Sequence, residues 1–396
     1  MKAAAETFDR AGLLVLCAAA FVSMASMRLC DPLLPAFSAS FDISTGNAAL
    51  TVSSFAVAYG FFQLLFGPLG DRFGKFRVIA CAVVACVLGN ALAAWSGNWE
   101  SLVAARTLSG ATAGGIIPLT LAWVGDSVSY ERRQEVLGHV MVATLLGISF
   151  GQWMAGALAD SAGWRWAFIL VAAAFALIGA MMIVMGRSRH DPAALDSESQ
   201  SYSAKVRQVL SQKWARWILL ITAIEGAFAF AGMTFIPAFL HERFDLSLKH
   251  AAAVTALFSL GGLVYASQAR RMVARLGERG LSLGGASLMG VSLLALVLLP
   301  SWHWAMPACL LGGLGFTMLH ATLQTHATQM APKVRGTATA LFGACIFLGQ
   351  SVGILAAASV VDTLGIAIVF WVSGPVIMVI GAAFARSLLR RVAVTV

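Results

Sequence analysis

Charge is what this chain has least of. Asp, Glu, Lys and Arg make up 11% of its 396 residues, less than half of the ~25% found in a soluble globular domain. So thin a supply cannot cover a water-facing surface, which excludes a reading of the length as two or three soluble domains. Cysteine is also sparse. Cys17, Cys30, Cys81, Cys86, Cys309 and Cys345 all lie inside apolar runs, and none forms a CxxC pair. They read as small core residues, with no disulfide framework and no thiolate metal site. No P-loop, HExxH or metal-ligand cluster occurs. Nothing therefore points to an enzyme, a resident metal or a cofactor.

What is abundant is apolar sequence. Hydrophobic residues make up 59% of the chain, and the mean hydropathy is +0.82. A helix needs ~20 largely apolar residues to span a bilayer. Runs of that kind fall at 12–36, 46–69, 77–96, 101–124, 134–159, 164–185, 215–240, 249–267, 280–300, 304–330, 336–361 and 365–388. The first follows acidic Glu6 and Asp9 and runs past signal-peptide length, so it reads as a retained span. The 38 glycines suit close helix approach in lipid. The expectation is an all-α membrane protein of twelve transmembrane helices. The longest polar stretch, 187–214, divides a six-helix N-terminal bundle (1–186) from a six-helix C-terminal bundle (215–396) and reads as a cytoplasmic linker, with one surface helix near 203–213.

The net charge of +9 would suggest nucleic acid in a soluble chain, but here the basic residues report topology. With both termini and 187–214 in the cytoplasm, all but five of the 27 Lys and Arg fall in cytoplasmic loops and tails. Arg165, Arg243 and Lys249 lie outside, and Arg28 and Arg106 fall within spans. That bias is a positive-inside signal, and it places the protein in a bacterial-type inner membrane. The halves also echo each other: Gly151-Gln152 in span 5 and Gly349-Gln350 in span 11 each follow a basic loop. Parallel six-span repeats with a midplane site between them are one transporter plan.

Residues 67–79 read GPLGDRFGKFRVI, between spans 2 and 3. Gly67, Asp71, Arg72, Gly74 and Lys75 resemble the signature loop of the major facilitator superfamily. Span 4 carries RTLSGATAGG, with Arg106, Gly110 and Gly114, similar to the family's span-4 motif. Span 5 carries GISFGQWMAG, with Gly147, Gly151 and Gly156. It resembles the glycine motif of the drug:proton antiporter branch, except that Gln152 stands where proline is usual, and GWRWAF at 163–168 is common in that branch. The resemblance implies two pseudo-symmetric bundles (the major facilitator fold), a conformational latch at Asp71, and a proton-coupling arginine at Arg106. It also implies antiport driven by the proton gradient, exporting small amphipathic molecules by alternating access. The importer of a metabolite or metal chelate on the same fold remains the alternative. Expected partners are a small-molecule substrate, protons and membrane lipids; the chain is taken as a monomer that binds no nucleic acid.

Ionisable groups inside spans are expensive and mark function by default. Arg28 and Asp31 in SMRLCDPLLP stand at i,i+3, close enough to pair, with Pro32 and Pro35 bending the helix beside them. They read as a held carboxylate for proton or substrate, or as a structural pair. Arg106 reads as a coupling residue, or as an arginine snorkelling to the headgroups. Glu225, in ITAIEGAFAF, is a protonation site or an anchor for a cationic substrate; a hydrogen-bonded core acid is the other reading. His320 and Gln324 share one face of span 10, and His326 points elsewhere. Gln63, Gln152 and Gln350 line a cavity or link helices. Phe228, like Trp153, Phe230 and Phe235, offers aromatic contact or simple packing.

Overall fold

The computed structural model describes residues 10–186 and 201–395. Those residues form helices and no strand, one of the two ways a chain can satisfy its own backbone in lipid. Ten helices are single spans: Arg10–Phe41 (span 1), Thr45–Phe73 (span 2), Lys75–Ala94 (span 3), Trp99–Ser127 (span 4), Arg132–Ser161 (span 5), Arg165–Gly186 (span 6), Lys213–Phe244 (span 7), Trp302–Gln329 (span 10), Pro332–Leu364 (span 11) and Ala367–Arg390 (span 12). An eleventh, Leu248–Leu298, has 51 residues. At 1.5 Å per residue it is about two and a half times as long as the ~30 Å hydrocarbon layer requires. It is parted at Gly277, whose φ of 60° and ψ of 175° are not helical and suit a residue without a Cβ. It therefore holds spans 8 and 9, and twelve spans result.

Span 1 breaks where its prolines predict. The α-helix Arg10–Arg28 gives way to a 3₁₀ turn, Asp31–Leu33, and resumes at Leu34–Phe41. Pro32 and Pro35 lack the N–H groups that would continue the ladder. The signature segment differs from its expected form as a loop. Helix runs through Phe73, so Gly67, Asp71 and Arg72 are helical and the turn is reduced to Gly74, at φ 89°. Gly67 has open space around it, and only Gly74 needs the backbone freedom of glycine. The described part of the expected linker contains a helix, Tyr202–Ser211; residues 187–200 of it lie outside the described residues.

Spans 1–6 pack as one bundle and spans 7–12 as another. They meet along two seams, span 5 on span 8 and span 2 on span 11. Spans 5 and 11 approach their neighbours so closely that a side chain would not fit. A Cβ at Gly147 or Gly151 would strike the span 1 backbone at Phe21 or Ala25, and one at Gly349 or Gly353 would strike span 7 at Ala223 or Ala227. This is the small-residue packing that lipid-embedded helices use in place of a hydrophobic driving force. Overpacking costs roughly 1–3 kcal/mol even where neighbours yield, and backbone cannot yield. Gly151→Leu should therefore lower the thermal midpoint of the detergent-purified protein by several degrees or abolish its expression, whereas Gly67→Ala should leave it unchanged or slightly raised. Thermal unfolding followed by tryptophan fluorescence tests the pair, and equal behaviour would refute the packing role.

Candidate functional site

Four side chains of the charged types Arg, Lys, Asp and Glu are fully buried among the described residues: Arg28, Asp31, Arg106 and Glu225. Their formal charges cancel, two against two. The first cluster belongs to the N-terminal bundle. Arg28 Nη1 donates to Asp31 Oδ2 at 3.1 Å, and Gln152 Nε2 of span 5 donates to the same oxygen at 3.2 Å. The break in span 1 sets this geometry, since the turn after Arg28 brings the carboxylate back beneath the guanidinium. On its other side the Arg28 guanidinium lies 4.5 Å from the centre of the Phe230 ring, on span 7. The cluster thus reaches the second bundle through a cation–π contact. Asp31 Oδ1 and Arg28 Nε have no protein partner.

Arg106 is buried on span 4, within electrostatic reach of Asp31. Its Nε donates to the Thr51 carbonyl at 3.4 Å, and its guanidinium stands 4.3 Å from the Phe55 ring centre. It does not snorkel, and its two terminal nitrogens have no protein partner.

The second cluster belongs to the C-terminal bundle. Glu225 Oε2 meets His320 Nδ1 at 3.1 Å, and Oε1 is left unpartnered. Phe316 stacks on the His320 ring at 5.3 Å, Phe342 stands at the same distance, and Phe230 contacts Phe316 at 5.5 Å. A line of rings therefore runs from Arg28 to His320, joining the two charged clusters across the bundle boundary.

The remaining candidates separate. Gln152 links helices. Gln63 sits against Gly343 of span 11, where an added Cβ would collide with its amide, so it also lies on a seam. Gln350 is buried with its Oε1 unpartnered. Phe228 is half-buried and Gln324 is exposed. His326 pairs with Glu278 at 3.1 Å, away from His320. In the latch segment Lys75 binds Asp71 at 3.4 Å and Asp126 of span 4 at 2.5 Å. Both bonds stay within the N-terminal bundle. No signal near Asp126 in the sequence marks it for that partnership.

The two faces of the protein differ. On the face carrying the basic loops, a cavity of about 710 Å³ opens between the ends of spans 4, 10 and 11. It is lined by Leu121, Gly125, Thr328, Gln329, Arg335 and Thr339 among others. On the opposite face the bundles are joined by hydrogen bonds, from Ser44 and Gly46 to Asp362 and from Leu248 and Lys249 to Asp160. The molecule is open at its basic face and closed at the other.

Twelve spans in two bundles, with charges buried between them and a cavity at one face, define a polytopic membrane transporter. The sequence profile of the Major Facilitator Superfamily matches residues 16–353 and 254–395, and the chain belongs to that family. An MFS-type transporter of Bacillus subtilis (strain 168), YceJ, is 24% identical over 84% of this chain and 85% of its own length. The efflux pump dotC of Dothistroma septosporum (strain NZE10 / CBS 128990) is 29% identical over 40% of this chain but only 27% of its own length. The crystal structure of a nucleoside transporter, NupG, superposes with a TM-score of 0.80 at 13% identity. The match covers 94% of this chain and 98% of that one and shows the shared fold.

The buried pair makes a stability prediction. Removing one partner of a buried ion pair costs roughly 3–5 kcal/mol, because the other charge is left uncompensated. Asp31→Asn should therefore destabilise the protein strongly, and Arg28→Met combined with Asp31→Asn should recover most of the loss. A thermal-unfolding cycle of the two singles and the double reads this as a coupling energy. Additive singles would refute the pairing.

Proposed function

We propose that this protein is a proton-coupled antiporter that exports small amphipathic molecules by alternating access, resident in a bacterial-type inner membrane with its basic face in the cytoplasm. The observation that carries the reading is the Glu225–His320 pair. A gradient can drive a cycle only through a group whose proton affinity differs between the two access states. Glu225 is buried with one oxygen unpartnered among the described residues, and its other oxygen is hydrogen-bonded to a histidine on another helix. The pair stays within the C-terminal bundle, while the Phe230–Phe316 contacts tie it to the bundle boundary, so a change of the angle between bundles changes what the free carboxylate oxygen faces. The line of rings between the clusters offers an amphipathic substrate apolar contact, and the unpartnered polar atoms beside it offer hydrogen bonds. No cofactor is required, since the proton gradient supplies the energy.

The cytoplasmic placement of the basic face rests on the distribution of Lys and Arg. Export is supported by the likeness of the span 5 glycines to the antiporter motif and by relatives that bear the name of efflux pump, such as dotC.

The test is Glu225→Gln, which keeps the shape of the protonated acid. In everted vesicles and proteoliposomes, substrate taken from a thermal-shift screen should accumulate against its gradient in the wild type when the lumen is acid. The variant should still bind substrate but lose gradient-driven accumulation by a factor of ten or more. Undiminished accumulation would remove Glu225 as the carrier. Accumulation only in right-side-out vesicles would make the protein an importer.

A further inference from the structure

We propose that Asp160 and Asp362 are gate residues, which hold the two bundles together on the face opposite the basic loops by capping the first turns of spans 8 and 2. Asp160 ends span 5. Its Oδ1 accepts from Leu248 N at 3.2 Å and its Oδ2 from Lys249 N at 2.7 Å. Asp362 ends span 11. Its Oδ1 accepts from Gly46 N at 2.9 Å and its Oδ2 from Ser44 Oγ at 2.6 Å. Each carboxylate therefore spends both oxygens on the other bundle. The backbone donors belong to the start of a span, where N–H groups have no partner within their own helix. A carboxylate beside such groups is favoured both as a cap and by the local dipole.

The two contacts are one contact repeated. The same chain offset separates Asp160 from Asp362 and Gly46 from Leu248. It also separates Gly156 from Ala358, and the packing beneath each cap follows it: Gly46 lies against the Ala358 carbonyl, and Gly156 against that of Leu248. In each seam one glycine lets the backbones close, on the capped helix in one case and on the capping helix in the other. A repeated six-span unit places equivalent residues this way.

Solvent exposure sets the strength. Asp160 and Asp362 are both exposed, so water takes over their hydrogen bonds when the bundles part. The caps then bias the closed state modestly instead of locking it, as a gate that opens in every cycle needs. The third contact on this face, Thr45 Oγ1 to Glu242 Oε1 at 3.5 Å, is too long to substitute for either. The carboxylate contacts on the basic face have a different design: Lys75 with Asp71 and Asp126, and His326 with Glu278, each stay inside one bundle.

This inference rests on the alternating-access part of the reading above, and on neither proton coupling nor export. The test uses the full-length protein in nanodiscs. Spin labels go on Gly97→Cys, in the exposed turn between spans 3 and 4, and His303→Cys, on the exposed 3₁₀ turn that opens span 10, in a transport-competent background without the native cysteines. The wild type should show mainly the short distance. Asp160→Asn and Asp362→Asn should each raise the ratio of long to short distance about fivefold, as loss of a charged cap implies, and the double variant should raise it further. Asp160→Glu and Asp362→Glu should stay near wild type, and all should keep the wild-type thermal midpoint. A folded double variant with the wild-type distance distribution would overturn the gate. A wild type that never samples the long distance, with or without substrate, would instead overturn alternating access.

Discussion

A charge taken into a bilayer must be neutralised or hydrogen-bonded where it stands, because lipid tails cannot solvate it. The interior of this protein is arranged around that constraint. Among the described residues the four buried charges are two arginines and two carboxylates, so their sum is zero, and of these four Arg28 and Asp31 form a direct pair. Arg106 is held by a backbone carbonyl and an aromatic face, and Glu225 by an imidazole. The unpaired solutions leave oxygen and nitrogen atoms without protein partners. A purely structural core would avoid that, since each such atom costs about 1–3 kcal/mol when nothing satisfies it. A transporter can recover that cost through a substrate, a proton or water.

Close approach is the second constraint, and it follows from the first. Helices in lipid gain little from burying apolar surface, so they associate through contact at short range. The glycines of spans 5 and 11 provide it by admitting the backbone of spans 1 and 7. Because the approach is backbone to backbone, these helix pairs leave no room for a side chain between them, and what differs from face to face is how far the two bundles stand apart. The contacts at the two faces report that spacing: hydrogen bonds cross the boundary on one face, while a cavity separates the helix ends on the other.

Much of the fold was legible in the sequence because the bilayer converts composition directly into architecture. Thin charge, runs of apolar residues and a one-sided distribution of Lys and Arg fix the number and order of spans without any long-range information. The break in span 1 was legible for the same local reason, and so was the Arg28–Asp31 pair, whose i,i+3 spacing lies within one helix. What spacing could not show was partnership between helices. Glu225 and His320 were separate candidates until spans 7 and 10 brought them together, and Gln152 was an undecided polar residue until it met Asp31. Asp126, Asp160 and Asp362 sit at helix ends, where an acid is unremarkable until its partner is known. The signature segment was misjudged as a loop because glycine and proline are turn formers on average. The helix nevertheless runs on past Pro68, which lacks one ladder N–H, and ends only at Phe73.

Span 5 shows how these constraints meet in one element. Proline at position 152 would remove a backbone donor and bend the helix. Glutamine keeps the helix straight and adds a side-chain donor, which reaches Asp31. Just before it, Gly147 and Gly151 press the same helix onto span 1, so the position of span 5 relative to the charged cluster is fixed twice, by packing and by hydrogen bonding. The far end of the helix carries Asp160, bound to the first turn of span 8, and Gly156 packs against that turn. A single rigid helix thus touches the buried carboxylate at one point and the inter-bundle contact at another. Any rearrangement of Asp31 that shifts Gln152 must move the whole helix or break its hydrogen bond. Any parting of the bundles at the closed face must likewise pull on an element anchored beside the buried charges.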